Sequence, residues 1–64
     1  MKLRIDYRDG GVEVWQDVTA IWVGDGRLKY AISGILYCRE PFLDTISSIV
    51  CDGEVIYMAK EEKE

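Results

Sequence analysis

The groups able to do chemistry in this 64-residue chain are two cysteines, twelve carboxylates and eight cationic side chains; histidine is absent. Without histidine there is no Ser-His or Cys-His arrangement to activate a nucleophile. Nothing in the pattern poises a base beside Cys38 or Cys51, so both read as small strand residues. Asp9, Asp25 and Asp52 stand beside glycines, where turn chemistry accounts for them. The other acids alternate with apolar residues as a solvated strand face does. Asp9-Gly10-Gly11 and Gly24-Asp25-Gly26 join strands instead of opening a helix, so neither is a phosphate loop. A zinc site needs about four Cys or His ligands. Two cysteines do not supply them, so no metal or cofactor is expected and the chain reads as a non-enzyme.

Binding chemistry remains. Arg4, Arg27 and Lys29 are able to meet phosphates, and Tyr30 or Trp22 to offer a stacking face, because cations and aromatics interleave on the same short segments.

Those segments are strands. Val18 to Tyr30 (VTAIWVGDGRLKY) returns in shortened form at Ile46 to Tyr57 (ISSIVCDGEVIY). Aligned with one gap at Gly24, Thr19 meets Ser47, Ile21 meets Ile49, Asp25-Gly26 meets Asp52-Gly53, and Tyr30 meets Tyr57. Each copy is an apolar run, an Asp-Gly turn and a second run, a strong hairpin signal. The half-repeat reaches further back: Lys2-Leu3-Arg4-Ile5, Arg27-Leu28-Lys29-Tyr30 and Glu54-Val55-Ile56-Tyr57 share a charged-apolar-any-apolar pattern.

Leu3, Ile5 and Tyr7 alternate with charged residues as a first strand, and Val12 and Val14 continue the alternation up to Trp15. Strands follow at about 18–23, 27–32, 35–38, 46–51 and 54–59. Pro41 cannot donate to a ladder and breaks the rhythm. Leu43 to Ile46 reads as one helical turn, with Asp44 near its start, or as a plain loop. The expectation is therefore all-β: one domain over 1–59, with a charged, frayed tail at 60–64. Its six to seven short antiparallel strands form a meander that rolls into a small barrel or coiled sandwich. If the strands holding Cys38 and Cys51 pair around 39–45, Cys51 lies roughly 17 Å beyond Cys38's partner, taking about 3.4 Å per residue. A disulfide needs α-carbons within about 7 Å, so none is expected.

Composition is that of a folded domain, 48% hydrophobic and 31% charged. A net charge of −4 makes direct DNA binding unfavourable, since phosphates demand clustered Lys and Arg. The acidity leaves two readings, a soluble acidic surface or a mimic of nucleic acid. No apolar run approaches the roughly 18 residues of a membrane span. The first residues alternate charged and apolar at once, unlike a secretory leader. With two reduced thiols, the expected compartment is the cytoplasm.

The strands carry more apolar residues than one face holds. With Leu3, Ile5, Tyr7, Val12, Val14, Leu28, Tyr30, Ile32, Ile35, Tyr37, Val55 and Tyr57 assigned inward, Trp15, Leu36, Ile56 and Met58 must point outward. Trp22 joins this outward set, although the Val18–Val23 run leaves its parity open. An outward apolar patch marks an interface, either with a second copy, a homodimer first, or with another protein. The bland alternative is that curvature buries these residues.

The segments Pro41-Phe42-Leu43-Asp44-Thr45-Ile46-Ser47-Ser48-Ile49 and Asp52-Gly53-Glu54-Val55 resemble the endings of short β-rich proteins from bacterial phages and mobile elements. The opening Leu3-Arg4-Ile5-Asp6-Tyr7-Arg8-Asp9-Gly10 is similar in style, so the likeness covers most of the chain, through generic turn patterns. Most such proteins have no assigned function; some block host immunity by gripping a defence protein or sequestering its nucleotide signal. The resemblance thus implies an accessory protein that inhibits a host protein, or an oligomeric sponge for a nucleotide-like molecule. It carries no site residue over. A structural subunit of a larger particle is the remaining expectation.

Overall fold

The computed structural model describes residues 1–33 and 38–59. Ile35, Leu36, Tyr37 and the tail at 60–64 lie outside the described residues, and so do the expectations placed on them. The rest is all-β and antiparallel: β1 (Leu3–Tyr7), β2 (Val12–Trp15), β3 (Val18–Gly24), β4 (Arg27–Ile32), β5 (Cys38–Arg39), β6 (Ile46–Cys51) and β7 (Glu54–Met58). Between β5 and β6, Leu43–Thr45 makes a single 3-10 turn, with Thr45 Oγ1 donating to the Phe42 carbonyl at 2.7 Å.

The strands form two sheets, ordered β2-β1-β6-β7 and β3-β4-β5. A simple meander is therefore not what forms. After β2 the chain crosses over to build the second sheet, then returns to lay β6 beside β1. The cause lies in β1. Leu3 and Ile5 have no exposed surface, and β1 is paired on both sides, by β2 and β6. Neither do the sheets close into a barrel. Among the described residues no ladder joins the two sheets; a reciprocal pair of hydrogen bonds ties the residue ahead of β1 to the start of β3. The Met1 ammonium donates to the Val18 carbonyl (2.8 Å), and the Val18 N–H donates back to Met1 (3.1 Å). Within the second sheet, Leu43 N–H donates to Gly26 O (2.8 Å) and Leu28 N–H to Pro41 O (3.0 Å), an Arg27↔Phe42 bridge that continues the β4–β5 register.

One core serves both sheets. Leu3, Ile5, Ile46 and Ile49 of the first pack with Val18, Leu28, Tyr30 and Ile32 of the second, while Tyr7, Trp15, Ile21, Leu43 and Tyr57 close its margins. At the β3–β4 and β6–β7 turns, Asp25-Gly26 (φ 51° and 72°) and Asp52-Gly53 (φ 51° and 83°) place two consecutive residues at positive φ. That is the geometry whose twist matches the flanking strands, and Asp and Gly tolerate it.

Register corrects the inward assignment. Trp15 lies across from Leu3 and Glu13 across from Ile5, so both side with the core, and Val12 and Val14 are turned out. Both valines are about half exposed. A one-residue change of parity exchanges the faces of a strand, and the length of the β1–β2 loop sets that parity here. In β7 the ladder passes from Tyr57↔Ile49 to Val55↔Val50, leaving Ile56 opposite no residue. This bulge breaks the alternation. Tyr57 stays with the core and Val55 faces outward, 53% exposed. Cys38 and Cys51 fall in different sheets, so their strands do not pair around 39–45, and Cys51 is a free thiol.

Candidate functional site

Each sheet turns its second face away from the shared core, and the two outer faces differ in chemistry. On the four-stranded sheet the ladders fix two rows running across all four strands. The first is Val14, Arg4, Val50, Val55; the second is Val12, Asp6, Ser48, Met58. Val12, Val14, Val55 and Met58 are exposed, Met58 by 66%, and Val50 is half-buried. Scattered exposed hydrophobics are ordinary, but here five share one face, Val12 and Val14 on β2 and Val50, Val55 and Met58 on β6 and β7. In its middle Arg4 and Asp6, successive outward residues of β1, form an ion pair: Nη2 to Oδ1 and Nε to Oδ2 are both 3.2 Å. Ser48 Oγ donates to the same carboxylate at 3.3 Å. Arg4 is thus held between Val14 and Val50, and Asp6 between Val12 and Ser48.

The outer face of the three-stranded sheet carries two cations laid on aromatic rings. Trp22 pairs with Lys29 across the β3–β4 ladder, and the ammonium sits 4.9 Å from the ring centroid. The indole lies along its own strand over Gly24, where a β-carbon would come within 2.9 Å of Cζ2. Beside it the Arg27 guanidinium stands 4.7 Å from the Phe42 ring and 3.4 Å from Glu40 Oε1. Such contacts contribute about 0.5–1 kcal/mol each at exposed sites. Ala20, Ile21, Trp22, Lys29, Tyr30 and Ala31 line a shallow, mostly apolar groove of about 150 Å³.

The residues singled out from sequence are distributed over both faces and the core. Trp15, expected outward, packs at the core margin with its ring 6.3 Å from that of Tyr30, because its register partner is the buried Leu3. Trp22 is on the surface, 47% exposed. Ile56 and Met58 are exposed on β7, and Leu36 lies outside the described residues. Among the ligand contacts suggested, Arg27 and Lys29 share a face with Trp22, whereas Arg4 belongs to the other sheet, on the far side of the core. Tyr30 is 2% exposed, so it is a core residue and offers no stacking face. Four patch residues, Val12, Val14, Val50 and Val55, escape sequence reading because only the register reveals their outward parity. An even or odd loop between β1 and β2 is the signal that would have found two of them.

Among the described residues no group of three His, Cys, Asp or Glu is placed to hold a metal ion. None of the described helices is long and apolar enough to cross a membrane. No family model, curated protein or solved structure matches the chain.

Proposed function

We propose that this protein is a small non-enzymatic binding module that docks a protein partner against the outer face of its four-stranded sheet. One observation carries the reading: register and bulge together bring Val12, Val14, Val50, Val55 and Met58 onto a single exposed surface around the Arg4–Asp6 pair. Burying such a patch is favourable by roughly 25 cal/mol per Å² of apolar surface, and the central charges give register and orientation. The likeness to short phage and mobile-element proteins makes a host protein one candidate partner for this face. A photoreactive amino acid replacing Val14 or Met58, compared with one replacing Asp25 at the far turn, tests the reading in the cells that make the protein. Discrete cross-linked species from positions 14 and 58 and none from 25 are expected. Equal or absent cross-linking at all three positions overturns it.

A second reading attaches to the other face. Trp22, Lys29 and Arg27 combine an aromatic ring with two cations on one surface, the chemistry that meets a small anionic ring compound such as a nucleotide. A ligand that binds the native state raises its thermal midpoint. A panel of cyclic nucleotides and ADP-ribose derivatives that leaves the midpoint unmoved removes this reading.

A further inference from the structure

The outer face of the four-stranded sheet is complementary to itself, and we infer that its occupant is a second copy of this chain, stacked face to face about a twofold axis running across the strands. The inference rests on the docking surface proposed above and specifies what covers it. A twofold axis in the plane between two sheets, perpendicular to the strands and level with Ile5, keeps every strand over its own copy and reverses direction along it. The row Val14, Arg4, Val50, Val55 then meets the partner's row Val12, Asp6, Ser48, Met58. Val14 meets Val12, Val55 meets Met58 and Val50 meets Ser48. Arg4 meets Asp6, and by symmetry Asp6 meets Arg4. Stacked sheets lie about 10 Å apart, a gap that side chains from both faces fill.

Charge decides between this arrangement and the other face-to-face twofold. With the axis running along the strands through the middle of the sheet, Arg4 lies over Val50 and Asp6 over Ser48, leaving both charges desolvated without an opposite charge across the interface. The Arg4–Asp6 pair within each chain then loses hydration and gains no further opposite charge, which is costly. The axis across the strands instead assembles the two ion pairs into a four-charge cluster flanked by Val12 and Val14 of β2 and by Val50 and Ser48 of β6 from each copy. A residue i meeting j while j meets i is the signature of an isologous contact.

Sedimentation equilibrium on the purified chain, with the variants Arg4→Asp and Asp6→Arg, tests it. The wild type is expected at twice 7.3 kDa. Arg4→Asp sets acid against acid across the interface and Asp6→Arg sets base against base, so each weakens self-association at least about tenfold. An equimolar mixture of the two puts acids against bases and restores the dimer as a heterodimer. An ion pair within one chain cannot produce that rescue. Far-UV spectra establish that each variant is folded. A wild type that stays at 7.3 kDa into the millimolar range overturns the inference whatever the variants do. So does a mixture that behaves as the sum of its parts. If the wild type is monomeric and positions 14 and 58 cross-link to a different protein, the docking surface stands and the second copy is excluded.

Discussion

Val55 lies directly across from Val50 on the outer face of the four-stranded sheet, although Tyr57, two residues further along β7, belongs with the core. In an unbroken strand, residues two apart share a face. Ile56, opposite no residue of β6, takes up the extra step. That one bulge moves an apolar side chain from the core to the surface and completes the patch on which the functional reading depends.

The inner and outer faces of the first sheet should respond differently to truncation. Ile5→Ala or Ile49→Ala removes side chains with no exposed surface and should cost about 2–5 kcal/mol. Val14→Thr and Val55→Thr should stay within about 0.5 kcal/mol in a monomer. Urea unfolding of the four variants, at protein concentrations low enough to dissociate any dimer, checks the contrast. Similar losses at Val14 and Ile5 would mean that the register described is wrong.

The two tryptophans should separate in the same way. Trp15→Ala opens the core margin beside Leu3 and Tyr30 and should cost about 3–5 kcal/mol. Trp22→Ala removes an exposed ring and its contact with Lys29, at about 0.5–1 kcal/mol. Thermal or denaturant unfolding ranks them directly.

Gly24→Ala should displace the Trp22 indole without unfolding the domain, because the new methyl occupies the place of the ring's Cζ2 edge. In a Trp15→Phe background, which leaves one indole, the fluorescence maximum should move to the red as Trp22 lifts from the strand. An unmoved spectrum would show that the indole does not rest there.

The Asp-Gly turns give a prediction free of packing effects. A β-carbon at Gly26 or Gly53 meets nothing within 4 Å, yet both have positive φ, so alanine should cost about 1–2 kcal/mol through the backbone alone. Asp52 has a second role, accepting the Lys2 N–H at 2.8 Å. Asp52→Asn keeps an acceptor and tolerates the left-handed region and should be nearly neutral. Asp52→Ala loses both, at about 1–2 kcal/mol. Equal losses for Asn and Ala would remove the side-chain hydrogen bond from the account.

Much of this protein follows from local pattern. Alternation in Leu3-Arg4-Ile5, the apolar runs on either side of Asp25-Gly26 and Asp52-Gly53, and the break at Pro41 are nearest-neighbour effects. They are enough to make the chain all-β, to place its strands and to bury Leu3, Ile5, Leu28 and Tyr30. The placement of the candidate residues was half legible: Trp22, Arg27 and Lys29 share a surface, and Met58 and Ile56 are exposed.

Only the tertiary structure decided which face the remaining apolar residues take. Period-two alternation says that Val12 and Val14 go together, as do Leu3 and Ile5. It does not say whether the two pairs share a side, since that depends on the hydrogen-bonded register across the β1–β2 loop. Likewise no local signal marks the bulge at Ile56 or brings β6 to β1 across about forty residues of chain. Burying β1 on both sides is a property of the whole packed sheet. The side chains on the outer face of the four-stranded sheet were therefore all present in the sequence, and long-range pairing assembled them onto one surface.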